Sequence, residues 1–187
     1  VYSISFSSNG MHLLTSSRDN SAKLWQVGTG ECAKTFYPPE FDEIGLYSAR
    51  FSPDCKHFVT AGFDRTVRIW NVRSGEIVHT LREHNNYVNY ACFSPDGELV
   101  LSSSNDQTTK LWNARTGECI RTLSDPRHGF VGRACFAEDG ARIVTAGNTG
   151  VIVWNTRPRQ MVLVARDREL SRTSRKILER VPTRLEM

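Results

Sequence analysis

The sequence lacks the signatures of several protein classes. It contains no run of 18 apolar residues, so no segment is predicted to cross a membrane as a helix. No charged-then-apolar leader is visible, so no secretory signal is expected. Neither a Gly-x-Gly-x-x-Gly nor a Walker pattern occurs, which argues against a phosphate-cradling nucleotide site. Before residue 166 no segment has helical spacing of apolar residues, and this predicts an all-β body.

The five cysteines are odd in number and form no Cys-x-x-Cys pair. Cys32 and Cys119 occupy matching places in GECAKTF and GECIRTL, and Cys92 and Cys135 match in ACFS and ACFA. Matching positions on matching strands indicate packing, because a free cysteine behaves as a small hydrophobe. We therefore expect no disulfide framework, no metal site and no cofactor. A reducing compartment, cytoplasmic or nuclear, is the expected location.

Charge is distributed unevenly along the chain. From Arg157 onward there are nine basic and four acidic residues, whereas the rest holds 15 basic and 16 acidic residues. A near-neutral body is atypical of nucleic-acid-binding domains, which carry a basic face. The basic tail, residues 166–187, has apolar residues at helical spacing: Leu170, Ile177, Leu178 and Val181. This pattern predicts a short amphipathic helix that packs on the body or docks on a partner.

A repeat of 42 to 45 residues runs through the body. Four tryptophans are spaced by 45, 42 and 42 residues: Trp25, Trp70, Trp112 and Trp154. Each unit opens with an alternating apolar run (VYSISF, LYSARF, VNYACF, VGRACF), and turn residues then separate three further strand-like runs. A four-stranded unit of this length is typical of a propeller blade, which must stack on its neighbours. The sequence predicts four blades, at about 1–36, 45–81, 87–123 and 130–165.

The units resemble the WD-repeat family. An Asp lies six residues before each of the first three tryptophans, a Thr or Ser lies ten before it, and His84 lies nine before Phe93. The resemblance implies a structural hydrogen-bond set in the third unit and parts of it in the first two: His84, Ser102, Asp106 and Trp112; Thr60, Asp64 and Trp70; Thr15, Asp19 and Trp25. WD-repeat propellers usually have seven blades, so the resemblance predicts part of such a ring. A closed four-blade ring and an eight-blade dimer are alternatives.

Two units depart from the family pattern. Unit two has Asp42 where the family has His, and unit four is one residue short, with Asn148 in place of the Asp. These departures predict looser turns in blades two and four, at the end of each blade where these residues lie. His84, Ser102 and Asp106 also have the residue types of a catalytic triad. Because similar residues recur beside a Trp in several units, we interpret them as satisfied buried polar groups and expect no enzymatic activity.

The loops at one end of the blades are the predicted site of function, since loops on a rigid scaffold vary and bind. The resemblance places three of the candidates in turns and four in the loops that precede first strands: Arg18, Phe63 and Asn105; Phe41, Asp42, Tyr87 and Phe130. Aromatic and Arg side chains on one surface are typical of protein interfaces. We predict a non-enzymatic scaffold that binds protein partners within a multiprotein complex, with no small-molecule substrate.

Two alternative functions also have support in the sequence. WNVR and WNAR resemble a motif of WD-repeat substrate receptors of cullin-type ubiquitin ligases, in which Arg73 and Arg115 would contact the adaptor. SAKLW and HNNYV resemble segments of a WD-repeat subunit of an RNA-processing complex. The near-neutral charge of the blades argues against direct contact with RNA.

Overall fold

The computed structural model describes residues 1–39, 45–125 and 129–156, together with the backbone of residues 161–165. Sixteen strands form four antiparallel sheets, each with its strands in sequential order. Blade 1 contains β1 Ser3–Phe6, β2 His12–Ser16, β3 Ala22–Gln26 and β4 Cys32–Phe36. Blade 2 contains β5 Leu46–Phe51, β6 His57–Gly62, β7 Val67–Asn71 and β8 Ile77–Leu81.

The third and fourth blades repeat this arrangement. Blade 3 contains β9 Val88–Phe93, β10 Leu99–Ser104, β11 Thr108–Asn113 and β12 Cys119–Ser124. Blade 4 contains β13 Val131–Phe136, β14 Arg142–Gly147, β15 Gly150–Asn155 and β16 Met161–Ala165. The predicted all-β fold of four four-stranded blades is confirmed. The helix predicted for the tail lies outside the described residues, and no helix long and apolar enough to cross a membrane occurs in the part described.

The turn between the first and second strands explains why each unit can fold back on itself. In blade 3, Ser94 Oγ donates a hydrogen bond to Asp96 Oδ1, which also accepts one from Glu98 N at 3.0 Å. Gly97 then adopts a left-handed φ of 79°. In blade 2 the same position is Cys55, with φ 57°, so the SPDC turn keeps the backbone form of SPDG at the cost of some strain.

The core consists of three layers between successive blades. Between blades 1 and 2, Phe36 contacts Phe58 edge to face at 4.7 Å, and Phe58 stacks on Trp70 at 5.7 Å. Equivalent layers, built on Trp112 and Trp154, join blades 2 to 3 and 3 to 4. No described blade covers the other face of blade 1, and Trp25 is only half-buried there while Trp70 is buried.

The first strand of each blade contacts the first strand of the next, so β1, β5, β9 and β13 lie side by side on the inner edge of the assembly. We call the end where these strands begin the upper end, and the opposite end the lower end. The turn between the second and third strands also lies at the upper end. There Gly45 packs so closely on Arg18 that a Cβ would lie 2.6 Å from the Arg18 Cα. Any larger residue at position 45 would therefore separate blades 1 and 2 at this end.

Candidate partner-binding site

A chain of four hydrogen-bonded side chains supports the upper end of blade 3. Trp112 Nε1 donates to Ser102 Oγ at 2.8 Å, and Ser102 Oγ lies 2.7 Å from His84 Nε2. His84 Nδ1 lies 2.7 Å from Asp106 Oδ2, which also accepts from Asn85 N at 3.0 Å. The chain ties the loop before β9 to β10, β11 and the turn between them.

The electrostatics of this chain follow from its hydrogen bonds. Burial would raise the pKa of Asp106, but hydrogen bonds from His84 and Thr108 outweigh it and hold the pKa well below its ordinary value. Thr108 Oγ1 donates to Asp106 Oδ1 at 2.6 Å. Asp106 is therefore a carboxylate at physiological pH, and its charge strengthens the hydrogen bonds that it accepts.

The Ser, His and Asp of this hydrogen-bonded chain resemble a catalytic triad only in residue type. Ser102 is completely buried. Its Oγ already lies within hydrogen-bond distance of the Trp112 indole and of His84. A nucleophile needs an accessible oxygen beside a space for substrate, so this geometry fits a structural role.

The other three blades contain the hydrogen bond between the tryptophan and a threonine hydroxyl. Trp25 Nε1 donates to Thr15 Oγ1 at 3.0 Å, and Trp70 Nε1 donates to Thr60 Oγ1 at 2.8 Å. In blade 4, Trp154 Nε1 donates to Thr145 Oγ1 at 2.9 Å. Thr145 was not predicted from the sequence, because this unit is one residue short and Thr145 therefore lies nine rather than ten positions before the tryptophan.

The aspartates of blades 1 and 2 stabilise their own turns. Asp19 Oδ1 accepts hydrogen bonds from the backbone and the hydroxyl of Ser21, and the hydroxyl bond is the main cause of a lowered Asp19 pKa. Asp64 Oδ1 accepts the equivalent two bonds from Thr66. Asp64 also pairs with the guanidinium of Arg68, a buried side chain on β7. The aspartate therefore has one turn-forming role in three blades and contacts a His only in blade 3 among the residues described.

Four aromatic rings form a row across the upper end of blades 1 to 3. Tyr2 lies 5.4 Å from Tyr47, Tyr47 stacks on Phe63 at 4.2 Å, and Phe63 lies 4.8 Å from Tyr87. Tyr2 and Tyr87 remain 46% and 39% exposed. Burial, with smaller effects of Tyr2 and Tyr87, raises the pKa of Tyr47, so its hydroxyl stays protonated. We call these four residues the aromatic row.

The aromatic row contains two candidates from the sequence and two residues that it did not single out. Phe63 and Tyr87 were predicted as partner-binding residues, and the structure places them in contact with each other across blades 2 and 3. Tyr2 and Tyr47 occupy the second position of VYSISF and LYSARF. The recurrence of Tyr at that position was the available signal. Only the radial arrangement of the blades brings all four together.

The remaining upper-end candidates differ in their surroundings. The Arg18 side chain is exposed in the turn beside Gly45, and Phe130, just before β13, is 47% exposed. Asn105 Oδ1 accepts a hydrogen bond from Asn89 Nδ2 at 2.7 Å. Asn105 is thus partly engaged within blade 3. Phe41 and Asp42 lie outside the described residues.

Arg73 and Arg115 lie at the lower end, opposite the aromatic row. Both side chains are exposed, and both residues follow an Asn whose side-chain oxygen accepts the Arg backbone N–H at 2.9 Å. Asn71 and Asn113 thus each stabilise the turn that follows the third strand of the blade. Arg115 also borders a groove of about 410 Å³ between blades 2 and 3. Among the described residues, no group of three or more His, Cys, Asp and Glu side chains is placed to hold a metal ion.

Four radially packed blades, each with a buried or half-buried Trp–hydroxyl hydrogen bond, define a repeat protein of the β-propeller class. The family model described as WD domain, G-beta repeat matches residues 1–26, 30–71, 75–113 and 117–155. These segments cover most of the chain, which therefore belongs to the WD-repeat family. A comparison with curated proteins finds no match. Domains of this family are protein-interaction scaffolds and are generally not catalytic.

Proposed function

We propose that this protein is a non-enzymatic scaffold that binds a protein partner through the aromatic row within a multiprotein assembly. The observation that carries the proposal is the contact of four aromatic rings across three blades, with the outer two rings exposed. Tyrosine is enriched in protein interfaces because its ring is apolar and its hydroxyl can hydrogen-bond. The five free thiols support a reducing compartment, cytoplasmic or nuclear.

The row is suited to binding because its rings already pack on one another without a partner. Tyr47 and Phe63 stack on each other at 4.2 Å, so they are held in place by their own contacts. A preformed aromatic surface loses little side-chain entropy when it binds. Arg18 and Phe130 are exposed at the same end and would extend the contact to its flanks.

The test compares two exposed apolar side chains at different places. Tyr87→Ala removes an exposed ring of the row, and Ile120→Ala removes a 54% exposed side chain on β12, the outermost strand of blade 3. The full chain of each variant is purified with its bound proteins from cells that express it, and the proteins are quantified by mass spectrometry. We expect Tyr87→Ala to lose a set of partners that Ile120→Ala retains. Identical partner sets, with matched thermal melting of the two variants, would contradict the proposal.

A second candidate function rests on the lower end. Arg73 and Arg115 are exposed at the same end of neighbouring blades. This placement supports docking to an acidic surface of a ubiquitin-ligase adaptor. The double variant Arg73→Asp plus Arg115→Asp should abolish adaptor binding in a pull-down, while Tyr87→Ala should leave it intact. Adaptor binding that survives the double variant excludes this function.

A further inference from the structure

Two arginines and a tyrosine on the inner strands form a cluster that the proposed function does not use. Arg50 lies on β5, Tyr90 on β9 and Arg133 on β13, so the cluster spans blades 2 to 4. The guanidinium carbons of Arg50 and Arg133 lie 5.3 Å and 4.6 Å from the centroid of the Tyr90 ring. Each guanidinium is thus within cation–π distance of the same ring. The two positive charges are within about one Debye length of each other at 0.1 M salt.

No carboxylate balances these charges within the described part of the chain. Arg50 donates to neutral acceptors: Nε to Tyr90 Oη at 3.1 Å, and Nη1 to Ile4 O at 2.7 Å and Ala49 O at 3.1 Å. The ion pairs seen among the described residues involve other side chains. Arg133 is exposed and makes no hydrogen bond to any described residue. Both arginines therefore have N–H groups available for a ligand.

The neighbouring titratable groups do not supply negative charge. Cys92 and Cys135 lie close enough to Arg133 to feel its charge. Burial raises the pKa of Cys92 to about 12 and also raises that of Cys135. Both thiols are therefore neutral at physiological pH, and the Tyr90 hydroxyl accepts a hydrogen bond from Arg50. The cluster has a local charge of two positive units on a protein body that is close to neutral overall.

We propose that Arg50, Tyr90 and Arg133 form an anion-binding site on the inner wall of the blades, which takes carboxylate side chains of an acidic peptide segment. A guanidinium offers planar, paired N–H donors that match a carboxylate, and it is more weakly hydrated than an ammonium group. Two guanidinium groups on one ring can each hold one carboxylate. Alternate side chains of an extended peptide lie on the same side about 7 Å apart, so one peptide can present two carboxylates to two guanidinium groups that share one ring.

Peptide is favoured over nucleic acid by two observations. Single-stranded nucleic acid binds where bases stack on open aromatic rings along a basic groove. Here two guanidinium groups already cover Tyr90, and the chain before Arg157 has 15 basic and 16 acidic residues. An acidic peptide needs only the local pair of charges, and it forms charge-assisted hydrogen bonds with them.

The probe for the test is a fluorescein-labelled peptide of alternating Gly and Glu, with a Gly–Gln peptide as the uncharged control. Binding to the 187-residue chain is measured by fluorescence anisotropy at 50 and 150 mM salt. Arg133→Gln is the main variant, because Arg133 is exposed and makes no hydrogen bond to described residues whose loss would unfold the blade. Lys56→Gln, which removes an exposed charge in the turn between β5 and β6 at the lower end, is the control.

We expect Arg133→Gln to weaken binding of the Gly–Glu peptide about tenfold or more, as loss of a charge-assisted bond requires. Lys56→Gln should bind as the unchanged chain does, and Arg133→Lys should restore only part of the affinity. Equal loss in both Gln variants, or equal binding of the Gly–Gln peptide, would overturn the proposal. A uridine oligonucleotide that competes more strongly than the peptide, in an Arg133-dependent manner, would also overturn it. A Tyr87→Ala variant that still binds the peptide separates this site from the aromatic row.

Discussion

Two adjacent serines of β10 allow the role of the buried hydrogen-bond chain to be measured. Ser102 and Ser103 are both completely buried, and both can be changed to Ala with loss of one oxygen atom. Ser102 Oγ has two partners, at 2.8 Å to Trp112 Nε1 and 2.7 Å to His84 Nε2. Ser103 Oγ has no hydrogen-bond partner among the described residues. The two substitutions therefore match in size and burial and differ in bonding.

The expected energies differ by several kcal/mol. Ser102→Ala leaves two buried polar groups unsatisfied, at about 1–3 kcal/mol each, for a loss of about 2–6 kcal/mol in the free energy of unfolding. Ser103→Ala removes a buried hydroxyl that has no described partner, so it should be neutral or stabilise by up to about 1 kcal/mol. With a urea m-value of about 2 kcal/mol/M, the two midpoints should differ by about 1–3 M.

The assay is equilibrium urea unfolding of the two variants and the unchanged chain, followed by circular dichroism and tryptophan fluorescence. Both probes should give the same midpoint for each protein if unfolding is cooperative. A loss at Ser103 equal to that at Ser102, or a Ser102→Ala change below about 0.5 kcal/mol, would refute the reasoning.

Two further predictions use the same measurement. Thr60→Val should lower the free energy of unfolding by about 1–3 kcal/mol, because the Trp70 indole loses its partner in a buried site. Thr15→Val should lower it by less than about 1 kcal/mol, because water reaches the half-buried Trp25. A larger loss for Thr15→Val than for Thr60→Val would contradict this. The folded-state pKa of Asp106 lies below its unfolded value, so its stabilisation is complete above about pH 5 and declines as the pH falls towards the folded pKa. Asp106→Asn should therefore flatten the acid side of the stability curve, while Glu98→Gln, an exposed control, should not, and equal slopes for the two variants would count against the role given to Asp106.

The sequence predicted features that depend on local spacing. The fixed offset of ten residues between a hydroxyl and a tryptophan places them on paired strands, as at Thr60 and Trp70, where the indole donates to the hydroxyl at 2.8 Å. Antiparallel pairing with a short turn determines such offsets, so they can be read from a repeat. The same rule missed Thr145, since one residue is missing from its turn. A local pattern is thus reliable only while the turn length is constant.

Contacts between blades could not be predicted from residue spacing, because they depend on how the sheets pack on one another rather than on offsets along the chain. Phe63 was predicted as an exposed binding residue, yet its ring stacks on Tyr47 and meets Tyr87 of the next blade. Phe63 therefore both joins two blades and positions the exposed ring of Tyr87. Substitution of Phe63 should therefore lower the free energy of unfolding as well as partner binding. Substitution of Tyr87, which is 39% exposed, should affect mainly binding.

The inner strands show why a charge count along the sequence is a poor guide to binding sites. The body of the chain is nearly neutral, and this argues against direct contact with nucleic acid. The structure nevertheless places Arg50 and Arg133 on one Tyr90 ring, from units that are far apart in sequence. Net charge governs long-range attraction, but the geometry of a few donors governs recognition at contact. The acidic segment that we propose as a ligand of this cluster is therefore compatible with a body that is close to neutral overall.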